Sequence, residues 1–318
     1  MINFNKFVTF FAAGTLLAAG ILLPSSRSMA AQSASPAASG SESFPLPFPN
    51  ADDIEEMSEQ DFWTDVASTS AALVDLSDGK VIAGHRQDTQ MVPASMTKIM
   101  TLLTACDQLE PIDLSDTVTI TDDILNYASD HDLSTIGFAS GETVTVQDLL
   151  YATILPSGAD GALALGRYIA GSDMLFVRMM NEKAVALGLT NTHFTNDIGL
   201  YDTTHFSTPK DMAAILYAAS RNPLAWKILS SRRYTTIPTT LHTSGITVTN
   251  RFFERMRYVP TPGTTLSAKT GFVTESGFCA ASYFVSDSGR HYILVTGGST
   301  SSDQCAADHG IIYSHYCR

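Results

Sequence analysis

The sequence predicts a mixed α and β domain in which an antiparallel sheet of about five strands is interrupted by a long helical block. Two observations carry this. Strand-like runs cluster at the two ends of residues 63–318, and each cluster is joined by short Asp/Gly/Ser turns. Between them, residues 107 to about 235 are punctuated by helix start and stop signals. Neighbouring hairpins pair antiparallel, so the two clusters form one sheet and the helical block is an insertion between its second and third strands.

Taken in order, Ala71–Leu76 and Val81–His85 are strand-like runs joined by Ser77-Asp78-Gly79, a hairpin turn. A helix follows from Ser95, with Met96, Ile99, Met100 and Leu103 as its apolar stripe. Thr145-Val146-Gln147-Asp148 resembles a capping box, and the helix it opens ends before Pro156. Further helices run over about 159–171 and 174–187, the latter closed by Gly188. Thr208 caps another, with Pro209 at its first position. Strands return at Thr264–Thr270, Gly277–Val285 and His291–Thr296, and a final helix spans about Gln304–Tyr316.

The chemistry centres on Ser95 and Lys98. A Ser and a Lys three residues apart on a helix face the same side. A serine hydroxyl needs a neighbouring base to attack at neutral pH, and a lysine serves when burial and a second cation lower its pKa. Ser-x-x-Lys occurs three times, at Ser77–Lys80, Ser95–Lys98 and Ser207–Lys210. The first lies in a turn and the last at a helix start. Only Ser95 heads an amphipathic helix, whose free N–H groups favour developing negative charge. Lys269, in Lys269-Thr270-Gly271, is the candidate second cation. Ser157, between Pro156 and Gly158, is a candidate third group, held on a sharp corner; taken alone, it reads more readily as a helix N-cap.

Of 318 residues, 44% are hydrophobic, enough for one large or two smaller domains, and the net charge is −13. With no basic stripe, nucleic acid is not an expected partner. Lys6, the apolar run Phe7–Leu23 and Ser28-Met29-Ala30 read as a Sec signal peptide over residues 1–30. Its removal takes Lys6 and Arg27 and leaves a charge of −15. Residues 31–62, Pro/Ala/Ser-rich and then acidic, read as a disordered linker. Within it Phe44-Pro45-Leu46-Pro47-Phe48-Pro49 favours extended, polyproline-type backbone.

Four cysteines, Cys106, Cys279, Cys305 and Cys317, permit disulfides in an exported chain without implying them. Cys305 and Cys317 sit on one predicted helix ~18 Å apart, too far to bridge. With His309 and His315 they point in several directions at ~100° per residue, so ordinary packing is expected rather than a metal site.

Three motifs, Pro93-Ala94-Ser95-Met96-Thr97-Lys98, Leu155-Pro156-Ser157-Gly158-Ala159-Asp160 and Lys269-Thr270-Gly271-Phe272, together resemble the penicillin-interacting serine enzymes. The match extends to Asn196–Leu200, to His205–Ala213 and to Gly277-Phe278-Cys279. It is closest to the low-molecular-mass D-alanyl-D-alanine carboxypeptidases of peptidase family S11, over about residues 63–318.

The resemblance implies a β-lactamase/transpeptidase-like fold. It also implies an acyl-enzyme on Ser95, with Lys98 as base and Ser157 as proton relay. Lys269 and Thr270 would hold a substrate carboxylate, Gly271 completes that strand motif, and the backbone N–H groups of Ser95 and Phe272 would form the oxyanion hole. The implied substrate is a peptidoglycan stem peptide ending in D-Ala-D-Ala, with β-lactams as inhibitors and no metal or organic cofactor. Two departures stand out. Ala159 replaces an Asn that usually orients the base and binds substrate, and the β-rich second domain and amphipathic anchor helix of many relatives are not expected here. Two other readings remain: a non-catalytic binding protein on the same scaffold, favoured by Ala159, and a β-lactamase, for which Glu182 is the obvious extra carboxylate.

Overall fold

The computed structural model describes residues 44–56 and 65–318. Strand β1 (Asn50–Glu56) leads in, and β2 (Ser70–Asp75) and β3 (Lys80–His85) form the expected hairpin. A single 3-10 turn over Ala94–Thr97 feeds α1 (Lys98–Cys106). The inserted block holds α2 (Asp122–Asp130), α3 (Val146–Ile154), α4 (Ala159–Ala170), α5 (Asp173–Ala186), α6 (Pro209–Arg221), α7 (Pro223–Leu229) and α8 (Arg251–Met256). It is not wholly helical. Two small antiparallel pairs interrupt it: β4 (Thr117–Thr119) with β5 (Thr143–Thr145), and β6 (Arg233–Thr235) with β7 (Thr247–Thr249). Three of these four strands read Thr-Val-Thr, an alternation of β-branched residues that prefers a pleated backbone.

β8 (Gly263–Val273), β9 (Gly277–Ser286) and β10 (His291–Ser299) complete the sheet, and α9 (Ser302–Tyr316) closes the chain. The sheet order is β1-β3-β2-β10-β9-β8, so the last strand pairs with the first hairpin and β8 is an edge. Register is fixed by pairs such as Leu294 with Leu73 and Phe272 with Phe278. Every residue of β2 is buried, because both sheet faces are covered. On one face Val74, Val295 and Ile293 meet the helical block; on the other Leu73, Phe284 and Leu294 meet Ile312 and Tyr313 of α9.

The local signals at helix starts carry through. Thr145 and Asp148 make a reciprocal capping box at α3, and the Thr208 side chain accepts from Asp211 N–H at α6. Residues 44–56 correct the expectation of a disordered linker. β1 pairs parallel with β3, a sixth strand, and Phe48 is 1% exposed. Phe44 and Phe48 pack on Tyr217 with ring centroids 5.7 and 5.3 Å apart. The prolines do exclude helix, but the alternating apolar side chains bury enough surface to hold the segment down. The expected signal peptide, and residues 31–43 and 57–62 of the expected linker, lie outside the described residues. All four cysteines are free and buried. Among the described residues no helix is long and apolar enough to cross a membrane.

Candidate active site

Ser95 sits in the 3-10 turn ahead of α1, after Ala94, whose φ of 47° lies in the left-handed region that non-glycine residues avoid. A loop and a strand press on this turn. A Cβ on Gly199 would come within 1.9 Å of the Ala94 carbonyl oxygen, so only glycine fits there. A Cβ on Gly271 would lie 3.0 Å from both Ser95 N and the Pro93 carbonyl oxygen. The backbone of edge strand β8 therefore runs directly beside the backbone of the serine.

Lys98, the first residue of α1, is 2% exposed. Its Nζ lies 3.1 Å from Ser95 Oγ and donates to the Ile198 carbonyl at 2.6 Å. In the neutral amine the first contact runs the other way, with the Ser95 hydroxyl donating to Nζ. Burial pushes Lys98 down to about 8, against the opposing pull of Asp197 and Asp160. Lys269 is also 2% exposed and is held well below the ordinary lysine range, first by burial and then by the charge of Lys98. Their repulsion is mutual, so each makes the other easier to deprotonate.

Ser157 forms the corner between α3 and α4 with φ 66°. It does not cap α4. The N-cap is Gly158, without a side-chain cap bond, and the Ser157 hydroxyl instead accepts from Lys269 Nζ at 2.9 Å. Lys269 also donates to the Thr270 carbonyl at 2.8 Å. Thr270 is half-buried. Phe272 is 52% exposed and stacks on Phe278 with centroids 4.3 Å apart. Ala159, at the departure from the usual motif, is 1% exposed, and its N–H donates to the Ser134 carbonyl at 2.7 Å.

The sequence motifs did not indicate what aims the Lys98 amine. Asn196 Oδ1 accepts from the N–H groups of Ile198, Gly199 and Leu200 at 3.3, 2.7 and 2.9 Å, folding the loop so that the Ile198 carbonyl meets Lys98. His205 braces the serine turn. Its Nδ1 accepts from Thr195 N–H at 3.1 Å, so the ring proton is on Nε2, which donates to Thr97 Oγ1 at 2.8 Å. Burial pushes His205 down to about 4, which keeps that single neutral tautomer. Both residues lie in stretches flagged only by resemblance; the His205 partners are 10 and 108 residues distant, and Asn196 folds its own loop through backbone N–H groups.

Glu182, the candidate extra carboxylate, bonds Arg178 at 2.8 Å on the outside of α5, with the two side chains 60% and 74% exposed. It is solvated and takes no part in the site. His309 of the suggested cysteine and histidine group is buried against Ser282 and Thr296, at 2.8 and 3.0 Å.

The arrangement couples a serine hydroxyl to a buried amine and places a second amine on a second hydroxyl. A family model described as D-alanyl-D-alanine carboxypeptidase matches residues 55–300. D-alanyl-D-alanine carboxypeptidase DacF of Bacillus subtilis is 31% identical over 239 residues, which are 74% of this chain and 59% of DacF. This chain thus spans about three fifths of that relative's length. The crystal structure of the Streptomyces K15 DD-transpeptidase superposes with a TM-score of 0.69 at 25% identity, covering 80% of this chain and 98% of that one. Penicillin binding protein 5 from Haemophilus influenzae gives a TM-score of 0.67 at 26% identity, with 77% and 69% covered.

Proposed function

The chain belongs to the D-alanyl-D-alanine carboxypeptidase family, peptidase S11, and from that premise we propose that it is a penicillin-binding serine DD-carboxypeptidase. Its substrate would be a peptidoglycan stem peptide ending in D-Ala-D-Ala. The observation that supports this best is the 3.1 Å contact between Ser95 Oγ and a Lys98 amine buried to 2% exposure.

Ser95 Oγ attacks the carbonyl carbon between the two D-alanines while its proton passes to Lys98 Nζ. The negative charge that forms on the carbonyl oxygen is met by the N–H groups of Ser95 and Phe272, whose backbones the Gly271 contact brings side by side. The peptide C–N bond then breaks. Ser157 passes the proton from Lys98 to the leaving amine nitrogen, and Lys269 with Thr270 holds the terminal carboxylate. Water attacks the resulting ester with Lys98 again taking the proton, and Ser95 is regenerated. No step calls for a metal or organic cofactor. A β-lactam enters the same sequence at its strained amide and stays as a stable ester.

The leader-like residues 1–30 support export through the Sec pathway, placing the enzyme on the wall side of the membrane. The mass of the protein recovered outside the cytoplasm tests this. Function is tested by intact-mass detection of a penicillin adduct on Ser95, followed by release of D-alanine from a D-Ala-D-Ala peptide. An adduct without D-alanine release would instead support a binding protein, and rapid loss of the adduct a β-lactamase.

A further inference from the structure

Asp197 lies in the loop between α5 and α6, and the proposed mechanism leaves it without a role. It is 1% exposed, and its Oδ2 has no hydrogen-bond partner among the described residues. The carboxylate presses on the backbone of α4. A Cβ on Gly166 would lie 2.8 Å from Asp197 Oδ2 and 3.0 Å from the Phe176 ring. A carboxylate is costly in such a place, and an apolar side chain would fill it without that cost.

Its neighbours in the backbone are tied to the catalytic helix. The Asp197 carbonyl accepts from Thr101 Oγ1 at 2.6 Å, one turn beyond Lys98. The next carbonyl, of Ile198, accepts from Lys98 Nζ at 2.6 Å. The loop that carries the acidic side chain is thus tied to α1 at Thr101 and to the Lys98 amine itself.

We propose that Asp197 is a positioning residue for the base, supplying the counter-charge for the ammonium that Lys98 becomes when it takes the Ser95 proton. This rests on the reading of Lys98 as base given above. In that step the Ser95 O–H bond breaks, its electron pair forms the C–O bond to the substrate carbonyl, and the proton binds Lys98 Nζ. Positive charge arises in a site nearly closed to water, where a fixed negative charge acts strongly. Asp197 touches neither substrate nor serine.

The charges around the pair are these. On Lys98, Asp197 and Asp160 favour the ammonium, and the charge of Lys98 in turn disfavours that of Lys269. On Asp197, burial and Asp173 of α5 oppose ionisation, while Lys98 of α1 and Arg167 of α4 favour it. Tyr127 of α2 also faces Asp197. Burial pushes Asp197 up to about 7 and Lys98 down to about 8, against the pull each charge exerts on the other.

The test measures second-order acylation of the full chain by benzylpenicillin, read by intact mass across about pH 5 to pH 10. The wild type is compared with Asp197→Asn and Asp197→Ala; the alanine adds no atoms to the site, and folding of each is followed by thermal melting. Loss of the charge should move the rising limb about one pH unit lower and reduce the high-pH plateau, since the base is weaker. A purely packing role would lower the plateau and leave the limb in place. An unmoved limb in a folded variant overturns the inference while leaving Lys98 as base. No adduct on wild-type Ser95 would overturn the reading of the site, and this inference with it.

Discussion

Lys269 Nζ donates to Ser157 Oγ at 2.9 Å, tying edge strand β8 to the corner that opens α4 across 112 residues of sequence. This bond takes the Ser157 hydroxyl away from helix capping. It also sets a second buried amine beside the site of Ser95 and Lys98.

Ser95→Ala should abolish covalent labelling by a fluorescent penicillin. Ser77→Ala should label normally. Ser207→Ala should also label, although it loses a buried hydrogen bond to Thr192 and with it about 1 kcal/mol of stability. Labelling of Ser95→Ala at the wild-type level would remove the proposed nucleophile.

Acylation should rise with pH through a limb near 8, because Lys98 acts only as the neutral amine and its pKa is about 8. Lys98→Arg stays protonated and should lose about 10²–10⁴ in acylation rate. Stopped-flow quenching of intrinsic fluorescence by a β-lactam measures both. Near-normal acylation in a folded Lys98→Arg protein would contradict the assignment of the base.

Phe272→Pro removes one proposed oxyanion donor from an edge strand, where proline is tolerated. Acylation should fall by about 10²–10³. Phe272→Ala keeps the N–H and should stay much nearer to wild type. Equal losses in the two variants would point to the aromatic stack on Phe278 rather than to the backbone donor.

Ala159→Asn restores the usual carboxamide. From sequence alone a modest gain with the peptide is expected. The structure argues otherwise: the Ala159 side chain is 1% exposed, so no water-sized space adjoins it. The variant should lose about 1–3 kcal/mol of stability and gain no acylation rate. Melting temperature and acylation by penicillin and a D-Ala-D-Ala peptide are the measurements. A faster, equally stable variant would show that space for the carboxamide remains.

His205 should make the fold acid-sensitive. Its pKa is about 4 in the native state against about 6.5 when unfolded. Below 6.5 the unfolded chain gains a proton that the native state refuses, so stability falls as pH drops from about 6.5 to about 4. His309, pushed down to about 3, adds a loss of the same sign. His205→Gln should show a smaller drop in melting temperature across this window than wild type. An identical drop would place the sensitivity elsewhere.

Most helices, the main strands and the chemical parts were legible in local sequence. The Thr145 and Thr208 caps, the Pro156 stop and the turn between β2 and β3 are local events, governed by residues a few positions apart, and the structure places them where the sequence does. Ser95 was separable from Ser77 and Ser207 for the same reason, since the helical spacing of Met96, Ile99, Met100 and Leu103 is written within one short window. Local sequence does not reveal the order of the Phe44–Phe48 segment, because its prolines are a local signal, whereas the Tyr217 surface that holds it is remote in sequence. Only the tertiary structure decided what faces Lys98 and Lys269. The Ile198 carbonyl, the buried Asp197 carboxylate and the Ser157 hydroxyl arrive from loops 100, 99 and 59 residues beyond Lys98. An amine's pKa depends on burial and on charges close in space, and neither is encoded in the spacing of a motif.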